Sequence, residues 1–261
     1  MKFGVGQSVR RTEDPRLVTG AGVFTDDVNL QDQLYAAFYR SPYAHARLKS
    51  IHLDKVRGLP DVVAVYTGAE LGSLGALPCR AQLTDALGNP CFIPRRTALA
   101  EDKVQFVGQA IVAVVAESRQ AARDALELVD VDFEPLDPVI SVESSVADGA
   151  PVLHDELGHN ICVHFERGDA EDVSAAIRGA AHIVEINVIN NRVVPTPLEP
   201  RVSVASYSDG KFTLYNPSQG AVAQQGVLSR SIFHVESEDV RVISGDTGGG
   251  FGVRGLSLIH I

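Results

Sequence analysis

The chain has 261 residues, and 23 Lys+Arg against 33 Asp+Glu leave a formal net charge of −10, which lacks the basic footprint of a non-specific nucleic-acid binder. Hydrophobic residues at 45% and charged residues at 21% exclude intrinsic disorder and fit one large or two ordinary globular domains. No run approaches the roughly 18 apolar residues of a membrane span, and no apolar segment follows Arg10-Arg11 to make a signal peptide, so a cytoplasmic protein is the default expectation.

In chain order, Arg10 to Arg16 is charged and broken by Pro15, which predicts an extended surface segment. Leu34–Tyr39 and Val62–Thr67 are short apolar and aromatic runs bounded by turn residues, and both read as strands. Residues 72–100 carry no period and are expected to form a long surface excursion. Strands are expected again at Val104–Val107 and Ala110–Ala116. Ser118 then caps a helix through Ala121, Ala122, Ala125, Leu126 and Val129, and Val129–Phe133 is a further strand. Prolines and Asp148-Gly149 within 134–160 mark a domain boundary. Beyond it, a helix near Glu171–Arg178 precedes a long strand over His182–Val194, whose first half alternates. Val202–Tyr207, Phe212–Tyr215 and Val240–Ser244 are predicted strands, with Ala221–Phe233 helical between the last two.

Three cysteines, Cys79, Cys91 and Cys162, form no C-x-x-C pair, so this chain alone cannot ligate a four-thiolate iron–sulfur cluster. His154 and His159 stand five apart, which splays them relative to the four-residue spacing of zinc-binding helices, and they read as solvated loop histidines. The most unusual stretch is Gly245-Asp246-Thr247-Gly248-Gly249-Gly250-Phe251-Gly252, directly after a strand. Glycines there allow close backbone approach and left-handed φ, and successive N–H groups make an anion cradle; a wide structural turn is the alternative. A P-loop is excluded, because Phe251 and Gly252 stand where Lys and Ser/Thr are required. Gly250, Gly252 and Gly255 match a dinucleotide-binding spacing, which keeps a nicotinamide-dependent dehydrogenase as one reading. Ser218 in Asn216-Pro217-Ser218-Gln219-Gly220 lacks the first glycine of a nucleophile elbow. Gly108-Gln109, Glu199-Pro200-Arg201 and Gln219 occupy polar turns, where binding residues tend to sit.

In order, Val9–Gly20, Arg40–Ala46, Val107-Gly108-Gln109-Ala110, Leu198-Glu199-Pro200-Arg201, Ser218-Gln219 and Gly248–Gly252 resemble the molybdenum-binding large subunit of the xanthine dehydrogenase/aldehyde oxidase family, nearest its carbon monoxide dehydrogenase-like branch. The resemblance implies an α+β fold with an extended lead over 1–18 and an a/b hammerhead domain over 19–135. A linker over 136–154 would then precede the start of the first molybdopterin-binding domain over 155–254. It also implies an oxidoreductase that hydroxylates an aldehyde or N-heterocycle, or oxidises CO, with water as the oxygen source. Implied cofactors are molybdenum-molybdopterin in its cytosine dinucleotide form here, and [2Fe–2S] and FAD on partners. The implied assembly is a dimer of heterotrimers with a medium FAD-binding subunit and a small [2Fe–2S] subunit, taking a small-molecule substrate, with no nucleic acid and no membrane span. Residue by residue, Gln219 matches the family glutamine whose amide approaches an oxygen ligand of molybdenum. Gly249, Gly250, Phe251 and Gly252 match the glycine-rich loop beside the metal. Glu199-Pro200-Arg201 matches a family element with no catalytic role assigned. No catalytic residue is expected in this stretch, because the general-base glutamate of the family lies farther downstream. Residues 255–261 leave the family pattern, which predicts a truncated, inactive fragment with a non-family tail. The alternative is a non-catalytic hammerhead binding or assembly module.

Overall fold

The computed structural model describes Gly6 and residues 8–79, 83–191 and 193–254. Contacts divide the chain into two units: Leu34–Val194, and Met1–Gln33 together with Pro195–Ile261. Residues 155–194, read from sequence as the opening of the second domain, thus have their contacts within Leu34–Val194. In the N-terminal segment, helix α1 (Asp14–Val18) replaces part of the extended stretch expected over Arg10–Arg16. Pro15 lies in its first turn, where the missing N–H costs nothing, and Asp14 complements the positive helix end.

The unit Leu34–Val194 begins with β1 (Tyr35–Arg40), β2 (Ala46–His52), α2 (Asp54–Arg57) and β3 (Val62–Thr67). It continues through β4 (Lys103–Val104), β5 (Ala110–Ala116), α3 (Arg119–Leu126) and β6 (Asp130–Pro135), and ends with α4 (Val142–Ser145) and α5 (Ala170–Gly179). β5 has no polar position, and it is the middle strand of an antiparallel sheet ordered β1–β5–β3. Ile111, Val112 and Val114 are fully buried, each side chain contributing about 1.5–3 kcal/mol of burial free energy. α3 packs on this sheet through buried Ala122 and Ala125, and the Ser118 hydroxyl caps it by accepting from the Ala121 N–H at 3.0 Å. A second sheet, β4–β2–β6, has β2 in its middle, with Leu48 opposite Phe133. The surface excursion returns to the core at Leu99 and Ala100, both buried. There the Ala100 carbonyl passes Gly68 so closely that a Cβ on Gly68 would stand 2.4 Å from its oxygen.

The proline-rich stretch after β6 is pinned by side chains. Asn160 donates to the carbonyls of Ser145 (3.1 Å) and Pro151 (2.9 Å) and accepts from the Leu153 N–H. Gln105 donates to Leu153 O at 2.7 Å and bonds His154 Nδ1 at 3.1 Å. His154 also lies against the Phe92 ring, so it is not a solvated loop histidine, and burial lowers its pKa.

The strand expected over His182–Val194 is absent among the described residues of that stretch. Its alternation is genuine, but no strand among the described residues pairs with it, and a strand is stable only when its backbone groups are paired. Val184, Ile186 and Val188 are 87%, 74% and 75% exposed, a run of apolar side chains open to association. For the chain expressed by itself, I186K/V188K should lower hydrophobic-dye binding and self-association in sedimentation velocity; unchanged behaviour would place the adhesive surface elsewhere.

The other unit carries a three-stranded sheet of β7 (Val204–Ser208), β8 (Lys211–Tyr215) and, after α6 (Ala221–Val227), β9 (Val240–Ile243). β7 and β8 form a hairpin whose turn residues Asp209 and Gly210 both have positive φ, as the Asp-Gly pair favours. β8 and β9 run parallel, joined by α6 and a π-helical segment over Leu228–Phe233. The single helix expected over Ala221–Phe233 is therefore two segments, closed by His234 in the left-handed region.

Candidate functional site

Parallel pairing of β8 and β9 decides where the polar turns go. Strands that run the same way release their following loops at the same end, the usual location of ligand sites on such sheets. Asn216–Gly220 leaves β8 and Ser244–Arg254 leaves β9 there, and the Asn216 N–H donates to Ile243 O at 3.0 Å. The Ser218 N–H donates to the Ser244 hydroxyl at 3.0 Å, and the Asn216 amide donates to the buried Gln224 side chain at 3.1 Å.

Gln219 is fastened to the far end of the glycine loop. Its N–H donates to Arg254 O at 3.0 Å, and its side-chain Oε1 accepts from the Arg254 N–H at 3.2 Å. The side-chain NH2 is thereby left as a donor, with no hydrogen-bond partner among the described residues. Gly250 lies against this amide so tightly that a Cβ there would stand 2.5 Å from Gln219 Cδ. Gly249, at φ +107°, lies against Pro197 and the Phe251 ring. Phe251 itself has φ +48° and is 71% exposed, and Gly252 has φ +82°. A non-glycine residue held at positive φ with an exposed aromatic ring is a strained feature of the kind that clusters at ligand sites. All five residues singled out in the sequence, Gln219, Gly249, Gly250, Phe251 and Gly252, thus belong to one loop pair.

Two features of the loop were not legible beforehand. First, the Gly248 N–H is not part of an anion cradle, because it donates to Glu199 Oε2 at 2.8 Å. The same carboxylate oxygen receives the Arg254 guanidinium, which also donates to the Glu199 carbonyl. Glu199 and Arg254 have side chains only 6% and 3% exposed. Second, Arg201 donates to Val253 O at 3.3 Å, and burial, reinforced by Arg254, lowers its pKa. Glu199 among prolines marked a polar turn in the sequence, but no local pattern connects it to a residue 55 positions away. Of the other candidates, the Ser218 hydroxyl accepts from the Gly220 N–H at 2.9 Å and bonds no base among the described residues. Gln109 accepts from the Gln105 N–H at 2.8 Å. No group of three or more His, Cys, Asp or Glu able to hold a metal occurs among the described residues, and Gly255 of the dinucleotide spacing lies outside them.

Sequence models of two domains match the chain. Residues 19–137 match the a/b hammerhead domain of aldehyde oxidase and xanthine dehydrogenase, and 153–261 match the molybdopterin cofactor-binding domain. The chain belongs to the xanthine dehydrogenase/aldehyde oxidase family of molybdopterin-binding large subunits. It is 37% identical to the nicotine 6-hydroxylase large subunit of Paenarthrobacter nicotinovorans, over 96% of this chain and 30% of that one. It is 35% identical to the carbon monoxide dehydrogenase large chain of Afipia carboxidovorans, over 95% of this chain and 31% of that one. Its fold superimposes on quinoline 2-oxidoreductase from Pseudomonas putida 86 with TM-score 0.87 and 29% identity, covering 97% of this chain and 32% of that one. The chain therefore spans about a third of the length of these relatives. The match to the cofactor-binding domain runs through residue 261, across the 255–261 stretch that reads from sequence as a non-family tail.

Proposed function

We propose that the chain supplies the hammerhead domain and one cofactor-binding loop pair of a molybdenum hydroxylase-type oxidoreductase. The observation that carries this reading is the convergence of the Gln219 amide and the Gly249–Gly252 loop at one end of β8 and β9. The residues fit a flat, oxygen- and sulfur-rich pterin–metal group. An unpaired amide donor stands beside glycines that leave no side chain in the way, and the exposed Phe251 ring offers an apolar wall. The N–H groups of Gly249, Gly250 and Phe251 make no hydrogen bond among the described residues and add further donors.

When bound, the molybdenum–molybdopterin group supplies two-electron oxidation of carbon with water as the oxygen source. Gln219 orients that group by donating through Nε2, while Arg254 holds the side-chain oxygen and keeps the amide from turning over. Phe251 excludes water from the face it covers. The cytosine dinucleotide form of the cofactor, a medium FAD-binding subunit, a small [2Fe–2S] subunit and a dimer of such heterotrimers complete the proposal, in the cytoplasm. Aldehydes, N-heterocycles and CO are the substrate classes. The relatives named above as a nicotine hydroxylase, a CO dehydrogenase and a quinoline oxidoreductase support it. The general base lies outside the residues described here.

The test is oxygen tracing. The complete protein containing this chain, purified with its partner subunits, is supplied with an aldehyde or N-heteroaromatic that reduces an artificial electron acceptor. In 18O-labelled water the hydroxylated product should carry the label. Incorporation from 18O-labelled dioxygen instead would overturn the assignment.

A further inference from the structure

The glycine loop is bonded at its start to a short N-terminal stretch more than 220 residues earlier in the chain, and farther along it is linked to the same stretch through Glu199. At its start, Asp246 receives both terminal nitrogens of Arg16, one of them at 2.6 Å, and the Val23 N–H at 2.8 Å. The Asp246 N–H returns a bond to Val23 O at 3.3 Å. At its middle and end, Glu199 holds Gly248 and Arg254, and the other carboxylate oxygen of Glu199 accepts from the Thr25 N–H at 3.3 Å. The two segments lie against each other, since a Cβ on Gly22 would stand in ordinary contact with Asp246 Oδ2 at 3.5 Å. The Arg16 hydrogen bond, then the Val23 N–H, holds the Asp246 carboxyl below its ordinary pKa, so the ion pair stays charged at neutral pH.

Glycine loses more conformational freedom on ordering than any other residue, so a loop this rich in it is costly to order. Whatever binds it must overcome that cost unless the protein has already done so. We propose that residues 16–25 form a strap that presets the glycine loop for its cofactor, with Arg16 and Asp246 as positioning residues. The strap touches neither Gln219 nor Gly250 in the hydrogen-bond network; it acts through Asp246 and Glu199. This inference rests on the proposed cofactor role of the loop.

Arg16→Met, Arg16→Lys and Asp246→Asn are made in the complete protein and produced with its partner subunits in a host that makes the cofactor. Molybdenum and pterin per chain are measured on each. Hydrogen–deuterium exchange of residues 247–254 is measured on the same proteins made in a host without cofactor synthesis. The strap predicts about tenfold lower cofactor content for Arg16→Met and Asp246→Asn. It also predicts faster exchange confined to 247–254 and an unchanged melting temperature, with Arg16→Lys intermediate. Wild-type cofactor content and exchange in both variants would overturn the strap while leaving the cofactor assignment standing. Faster exchange throughout β7–β9 in step with a lowered melting temperature would also overturn it, reducing the contacts to general stability. A wild-type protein without molybdenum contradicts the cofactor assignment, and exchange at 247–254 in cofactor-free protein then still decides whether the strap orders the loop.

Discussion

Glu199→Ala should destabilise the unit built on β7–β9 by about 3–5 kcal/mol, the cost of leaving one member of a buried ion pair without its partner. Arg254, only 3% exposed at its side chain, would keep its charge with the carboxylate gone, and the Gly248 and Thr25 N–H groups would lose their acceptor. Hydrogen exchange of the Asn216–Gly220 and Gly248–Arg254 segments, with thermal melting alongside, measures the loss. Glu199→Gln should cost less, because its one amide oxygen can still accept from the Gly248 N–H and the Arg254 guanidinium, while the bond from the Thr25 N–H is lost. Glu199→Ala combined with Arg254→Met should be less damaging than Glu199→Ala alone, since both buried charges are then removed. Equal damage from the single and double variants would show that the pair contributes shape rather than charge compensation.

Gly250→Ala should behave in the opposite way, with stability little changed and cofactor content reduced about tenfold, as for losses among groups that orient a bound metal centre. Gly250 does not have positive φ, so alanine meets no backbone strain. Its Cβ would instead stand 2.5 Å from Gln219 Cδ and 2.8 Å from Nε2, the end of a flexible side chain that must swing aside. That movement gives up the 3.2 Å bond from the Arg254 N–H, about 1 kcal/mol of folding free energy, and removes the donor the cofactor needs. Gly248→Ala makes the contrast, because its Cβ would meet Glu199 Cβ at 2.4 Å, next to the backbone, where nothing swings away. Molybdenum content and melting temperature, measured together on the two variants, separate a positioning effect from a folding effect. A Gly250→Ala protein with wild-type molybdenum would remove Gln219 from the site.

Elements whose residues state their environment locally were legible in the sequence. β3 and β5 appear at their predicted bounds, because short β-branched apolar runs bounded by turn residues read as strands. Ser118 marks the start of α3 because a hydroxyl three residues before an amide is a local device. β2 was missed: Arg47 and Lys49 mask a strand whose place is decided by pairing with β4 and β6 on both sides. The reverse error fell on 182–194, where the pattern is a strand's but no described strand pairs with it. At the site, the glycine loop and Gln219 were legible as motifs. The Glu199–Arg254 and Arg16–Asp246 pairs join positions 55 and 230 apart, and nothing within a few residues of either end reports them.

Molybdenum quantified by plasma mass spectrometry, with pterin measured on the same sample, tests the central claim most directly. The complete protein containing this chain is co-produced with its partner subunits in a cofactor-competent host. A stoichiometric amount per chain, falling sharply in Gly250→Ala with only a small change in melting temperature, is the predicted result. Folded protein with neither molybdenum nor pterin would contradict the account.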